Sequence, residues 1–246
     1  MKLIQWICAA LIAIAAPAHA GKVQLNPEWG SDKYQAPSIF MPDRDAGNPE
    51  KDKVVVAFHG FKSAVPNGSF KRVYKKLSDT HTVIGVNYDY FDVEGTKALL
   101  MKLAAEELQG KEVVTFGTSL GGFWADWFGQ EIGADKIVIA NPVISPPLHL
   151  AQYLGKTVYS ERRDRTIAVT GKDVDAYLPL MVRKNSPIPM LVILSADDDI
   201  LDYRATEELY AGRPDVTMKI YETGGHSIKL KKHPALELIR AYVQGE

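Results

Sequence analysis

The sequence predicts an α/β fold in which a mostly parallel central sheet is covered by helices on both faces. Three observations predict it. Short β-branched runs alternate with longer amphipathic ones through most of the chain, and a Gly-x-Ser-x-Gly lies between one such strand and one such helix. The hydrophobic fraction of the 246 residues is 46%, ample for a single core of this size, with no internal repeat or low-complexity run.

Taken in chain order, Lys2 precedes an apolar stretch from Leu3 to Ala16, and Pro17-Ala18-His19-Ala20 has the small-x-small pattern of a signal-peptidase site. Residues 1–20 therefore predict a signal peptide, an exported protein of the bacterial periplasm or exterior, and no stable membrane insertion once the segment is removed. The alternative is an uncleaved anchor, for which the apolar run is short. Cleavage after Ala20 also removes Cys8, the sole cysteine, so the mature chain forms no disulfide. Residues 21–49 turn polar and proline-rich, a leader segment with one edge strand around Ser38-Ile39-Phe40-Met41.

From residue 50 onward the main domain is expected. Strands are predicted near 53–58, 82–87, 112–116, 136–140, 189–195 and 216–221, and helices near 68–78, 96–109, 120–130, 203–212 and 234–244. Ala98, Leu99, Met101, Leu103 and Leu108 fall on a packing face rather than a cofactor box. The segment 143–185 breaks the alternation with Pro146-Pro147, a charged run Glu161-Arg162-Arg163-Asp164-Arg165 and a short strand Thr166-Ile167-Ala168-Val169. Such an insertion forms a wall or lid above a site, and its charges read as solvated surface. Lys and Arg total 29 against 30 Asp and Glu, which leaves no basic face for nucleic acid.

The chemistry is carried by Gly117-Thr118-Ser119-Leu120-Gly121, directly after Val113-Val114-Thr115-Phe116 and directly before a helical run to Gln130. A serine at the tip of a sharp strand-to-helix turn is strained, and glycines two residues to either side let strand and helix approach. Ser119 is the candidate nucleophile; the bland alternative makes it a helix N-cap. In such a site the chain order is serine, acid, histidine. His226, in Gly224-Gly225-His226-Ser227 after the last strand, is the candidate general base, in preference to His81, His149 and His233.

The acid must follow 189–195, where Asp197, Asp198, Asp199 and Asp202 compete. Spacing favours Asp198, with Asp199 second and Asp202 as a cap for the helix near Tyr203. An EF-hand register over Asp197, Asp199 and Glu208 fails because its sixth position, which needs glycine, is Asp202. Neither a metal nor an organic cofactor is required. The run Val54 to Phe58 ends in His59-Gly60-Phe61, so the Phe61 N–H joins that of Leu120 as a candidate oxyanion donor, with His59 bracing the loop.

The runs Gly117 to Ala125, Ala140-Asn141-Pro142, Asp198 to Arg204 and Gly224-Gly225-His226, together with His59-Gly60-Phe61, resemble the small bacterial α/β-hydrolases of the YqiA type. The similarity extends from about Val54 to the C-terminus. It implies the α/β-hydrolase fold with a small lid-like insertion, an esterase or thioesterase acting on a small-molecule acyl ester or thioester, and Asp198 as the acid. Those proteins are typically cytoplasmic and lack an exported leader, and 143–189 has its own sequence here. Two other functions share the same residues: an acyltransferase using Ser119, and a non-catalytic exported binding protein on a hydrolase scaffold.

Overall fold

The computed structural model describes residues 23–25, 36–42, 52–160, 165–182, 187–228, 230 and 233–246. The segment 1–20 and most of the charged run at 161–165 lie outside them. Among the described residues ten strands and seven helices follow in order: β1 (Val23–Leu25), β2 (Ser38–Pro42), β3 (Lys53–Phe58), α1 (Gly68–Leu77), β4 (Thr82–Asn87), α2 (Val93–Glu107), β5 (Glu112–Thr118), α3 (Leu120–Ile132), β6 (Lys136–Ala140), α4 (Pro146–Ala151), β7 (Thr157–Ser160), β8 (Arg165–Ala168), α5 (Gly171–Asp175), β9 (Met190–Ser195), α6 (Tyr203–Tyr210), β10 (Val216–Tyr221) and α7 (Ala235–Gln244). A 3₁₀ turn spans Leu178–Met181.

Eight of the described strands form one sheet in the order β1-β2-β4-β3-β5-β6-β9-β10, in which β4, β3, β5, β6, β9 and β10 are parallel neighbour to neighbour and β2 runs antiparallel to both β1 and β4. Alternation along β3 explains why helices cover both faces. Val54, Val56 and Phe58 point to one side, against Leu100 and Leu103 of α2 and Trp124 and Phe128 of α3. Val55 and Ala57 point to the other, against Phe70 and Val73 of α1 and Ile239 and Val243 of α7. A strand buried on both faces needs apolar residues at every position, and β9 is buried throughout. Each such side chain contributes about 1.5–3 kcal/mol by leaving water.

Several boundaries differ from the sequence expectation for local reasons. Helix α2 begins at Val93 rather than 96 because Asp92 Oδ1 accepts the Gly95 N–H at 2.9 Å. Helix α6 stops at Tyr210 rather than 212, and Gly212 turns the chain with φ 72°. Residues 38–41 are a strand, but β1 pairs outside it, so it is not the edge; the proline-rich leader contributes two strands to the main sheet. Antiparallel pairing between distant short runs leaves little local signal.

In the insertion, the strand expected at 166–169 is β8, and it pairs with β7, which was not anticipated. The hairpin is tied down by Arg165 Nη1 on the buried Asp89 carboxylate at 2.6 Å and by the Ser160 hydroxyl donating to Lys62 O at 3.3 Å. The Tyr177 hydroxyl donates to Tyr90 O at 3.1 Å. These contacts hold the insertion against the loops that follow β3 and β4.

Candidate active site

The carboxyl ends of β3, β5, β9 and β10 converge on one edge of the sheet. Connections leave β3 first toward β4 and then return to β5 on its other side, so this edge contains the point where strand order reverses. In open α/β sheets that point leaves a crevice between diverging loops.

Ser119 occupies the turn from β5 into α3 with φ 56° and ψ −129°. A non-glycine residue there carries strain of about 1–3 kcal/mol, which its surroundings must hold. They do so through Ser119 N donating to Ala140 O at 3.1 Å and through Ser119 O accepting from Gly122 N at 2.8 Å and Val143 N at 2.9 Å. A Cβ on Gly117 would collide with the Gly121 carbonyl, and one on Gly121 with the His59 carbonyl. Glycine at both positions is therefore a packing requirement of the turn. The serine hydroxyl makes no cap hydrogen bond to α3, which removes the bland N-cap role.

That hydroxyl instead lies 2.9 Å from His226 Nε2. On the other side of the ring, Nδ1 lies 3.0 and 2.9 Å from Asp198 Oδ1 and Oδ2. A carboxylate only accepts, so Nδ1 carries the proton and Nε2 is left to accept from the serine. The Asp198 side chain is 1% exposed and that of His226 16%. Burial works to raise the Asp198 pKa, but the His226 hydrogen bond and the N–H groups of Leu201 and Ile200 outweigh it and hold the carboxyl below its ordinary value. Its stabilising contribution is accordingly complete above the ordinary carboxylate range and is lost as pH falls through the lower folded value.

The competing carboxylates have other partners or none nearby. Asp202 Oδ1 caps α6 through Arg204 N at 3.0 Å, as its position before Tyr203 implies. Asp199 is exposed, and Asp197 Oδ1 accepts from Gly225 N at 2.8 Å, supporting the histidine loop. Among the described residues no group of three or more His, Cys, Asp or Glu side chains is arranged to hold a metal ion.

Phe61 and Leu120 open the two turns that meet beside the serine. Gly60 approaches so closely that a Cβ there would sit 3.3 Å from Ser119 Cβ. Neither the Phe61 nor the Leu120 N–H is taken up by a loop or cap hydrogen bond among the described residues. The Phe61 ring fixes its turn by packing against Tyr90 at 4.8 Å and Tyr153 at 5.3 Å. His59 is 1% exposed, stacks on Tyr88 at 4.3 Å and donates from Nδ1 to Gly60 O at 2.7 Å, a bracing role. A cleft of about 460 Å³ opens over Gly60, Phe61, Ser119 and His226.

Sequence reasoning missed Asn141 as a positioning residue. With φ 40°, it donates from Nδ2 to Gly225 O at 2.9 Å and His226 O at 3.0 Å, while its Oδ1 accepts from Ser195 N at 2.8 Å. It therefore ties the histidine loop to the end of β9. Its sole signal in the sequence was the Ala-Asn-Pro run, whose partners are 54 to 85 residues distant. Asn141→Ala should lower kcat by about a hundredfold through displacement of His226, with a smaller change in KM. Steady-state kinetics beside a thermal melt separates this from unfolding, and an unchanged kcat would remove the role.

His149 on α4 lies against the Phe61 ring at 5.8 Å, and its Nε2 is buried with no hydrogen-bond partner among the described residues. Burial, reinforced by the nearby His226 charge, pushes its pKa down from 6.5 to about 4. Between those values the unfolded chain binds the proton and the folded one does not, so stability falls as pH drops from 6.5 toward 4. His149→Phe should abolish that loss, worth on the order of 3 kcal/mol. Urea denaturation at pH 7 and pH 4.5 checks it: equal pH sensitivity in both proteins would refute it.

Comparisons with known proteins agree on fold and family. The model of UPF0227, described as an uncharacterised protein family, matches residues 54–240. A UPF0227 protein of Serratia proteamaculans (strain 568) is 26% identical over 192 residues, 77% of this chain and 98% of that one. Among solved structures, Est1E from Butyrivibrio proteoclasticus superposes with TM-score 0.63 at 15% identity, covering 84% of this chain and 91% of its own. The esterase domain of a Rhodothermus marinus protein gives 0.63 at 14%, covering 91% and 96%. A monoacylglycerol lipase of Paleococcus ferrophilus gives 0.58 at 16%, covering 78% and 93%. The fold is that of the α/β-hydrolases.

Proposed function

The chain belongs to the uncharacterised protein family UPF0227 and has the α/β-hydrolase fold, and we propose that it is a serine hydrolase that cleaves small-molecule acyl esters or thioesters through an acyl-enzyme. The observation that carries this proposal is the continuous hydrogen-bond path from Asp198 through His226 to Ser119, with distances of 2.9 Å at each ring nitrogen. Solved structures of like fold named as an esterase domain and a monoacylglycerol lipase support it by analogy.

In the proposed cycle, Ser119 Oγ attacks the carbonyl carbon as His226 Nε2 takes its proton, and Asp198 stabilises the resulting imidazolium. The oxyanion of the tetrahedral intermediate accepts from the Phe61 and Leu120 N–H groups, each worth about 3 kcal/mol in comparable sites. Collapse expels the alcohol or thiol, which receives the proton from His226. Water, activated by the same imidazole, then attacks the acyl-enzyme and releases the carboxylic acid. The lowered Asp198 pKa supports this role because the carboxylate stays ionised at neutral pH.

The test is hydrolysis of 4-nitrophenyl esters of graded chain length by the purified protein beside Ser119→Ala. Serine-dependent turnover is expected. A folded protein that turns over none of these esters or the matching thioesters would refute hydrolysis and turn attention to acyl transfer to an alcohol or to ligand binding alone. We further propose export, on the strength of Leu3 to Ala16 followed by Pro17-Ala18-His19-Ala20. N-terminal sequencing of protein from fractionated cells should begin at Gly21; an intact Met1 in the cytoplasmic fraction would overturn it.

A further inference from the structure

The cleft over Ser119 is lined by the Phe61 ring, by polar side chains and by one cation. Ser63, Asn67, Ser69, Thr118 and Ser227 line it together with Arg72, and among the described residues its lining includes no carboxylate. Arg72 is half-buried on α1 and forms no ion pair among the described residues. Helical side chains lean toward the N-terminus of their helix, which carries the Arg72 guanidinium back over residue 68. Residue 68 is glycine, and a Cβ there would lie 3.3 Å from Arg72 Nη1 and 3.8 Å from Cζ. The guanidinium thus lies on the cleft wall, in the same cavity as the nucleophile and its base.

Arg165 holds Asp89, Arg213 holds Asp215 and Lys76 holds Glu237, whereas Arg72 lies on the wall of the Ser119 cleft without an ion pair among the described residues. A cation facing a cleft of an aromatic ring, hydroxyls and an amide, with no acid beside it among the described residues, is matched by a ligand that brings the negative charge. Guanidinium donors are spaced for the two oxygens of a carboxylate or phosphate.

Resting on the hydrolase function above, we propose that the preferred substrate is an ester bearing an anionic group, a carboxylate or phosphate, that docks on Arg72 while its carbonyl carbon meets Ser119. The anion adds binding without altering the chemistry: the bond formed is Ser119 Oγ to acyl carbon, the bond broken is acyl carbon to leaving oxygen, and protons pass through His226 as before. Ser69 supplies a neutral hydroxyl beside the same group, while Asn67 caps α1 through Phe70 N and donates to the Ser63 hydroxyl, which fixes that wall of the cleft.

Two matched pairs distinguish the sources of the charge. 4-Nitrophenyl hemisuccinate against 4-nitrophenyl pentanoate places a carboxylate on the acyl side. Acetylglycerol phosphate against acetylglycerol, followed by acid release, places a phosphate on the alcohol side. In at least one pair the full chain should favour the anionic ester in kcat/KM by about 10- to 100-fold. Arg72→Gln should reduce that ratio at least tenfold, Arg72→Lys should give an intermediate ratio, and added salt should lower it in the unsubstituted protein. Thermal midpoints near the parent value show that the variants fold.

A ratio near one in both pairs, or a ratio that Arg72→Gln leaves intact, overturns the assignment of Arg72 while serine-dependent turnover of the neutral esters keeps the hydrolase function standing. Failure of the folded protein to cleave either member of either pair takes both down together.

Discussion

Replacing Ser119 with alanine should lower kcat for ester hydrolysis by a factor of about 10⁶, with the fold retained. The change removes one oxygen whose hydrogen bond is to His226 and which does not cap α3, so no backbone group is orphaned. The strained φ of 56° is imposed by the Ala140, Gly122 and Val143 hydrogen bonds to the Ser119 backbone, and these survive the substitution. A residual rate of about 10³ over water is expected from the oxyanion donors and from binding. Kinetics on the best 4-nitrophenyl ester, with circular dichroism as the control for folding, reads the outcome. Near-parental turnover by the alanine protein would mean that the nucleophile lies elsewhere.

The second large effect separates the acids. Asp198→Asn should cost about 10⁴ in kcat, because an amide can donate to Nδ1 and thereby favours the tautomer whose proton sits on Nε2, where the serine must be deprotonated. Its two backbone partners, Ile200 and Leu201, can still donate to the amide oxygen, so the loop should hold its shape. Asp199→Asn alters an exposed side chain and should leave kcat within about twofold. Asp202→Asn exchanges one good N-cap for another and should be equally mild. A large loss at Asp199 or Asp202 with little at Asp198 would reassign the acid.

Much of this site was legible because its signals are local. Gly117, Ser119 and Gly121 sit in five consecutive residues, and the collisions a side chain would cause at either glycine arise within the same turn or one strand away. His226 follows a Gly-Gly pair after the last strand, where Gly225 takes a φ of 60° that glycine adopts freely. Asp198 was separable from its neighbours by distance from the strand end, and the hydrogen bonds of Asp197 and Asp202 agree with that spacing. The strand run of β9 announced itself by unbroken apolar residues.

What could not be read depended on residues far apart in the chain. The alternation of strands and helices, the strained serine turn, and the order serine, acid, histidine were readable along the chain, because each follows from backbone sterics and hydrophobic period over a few residues. It took the packed fold to reveal that Asn141 clamps the loop of His226, that β1 lies outside β2, that β7 pairs with β8 across the insertion, and that Arg72 lines the cleft of Ser119. The physical reason is range: hydrogen bonds and charges between elements have partners fixed by how the layers pack, and a one-dimensional pattern records which residues are polar without recording what they will face.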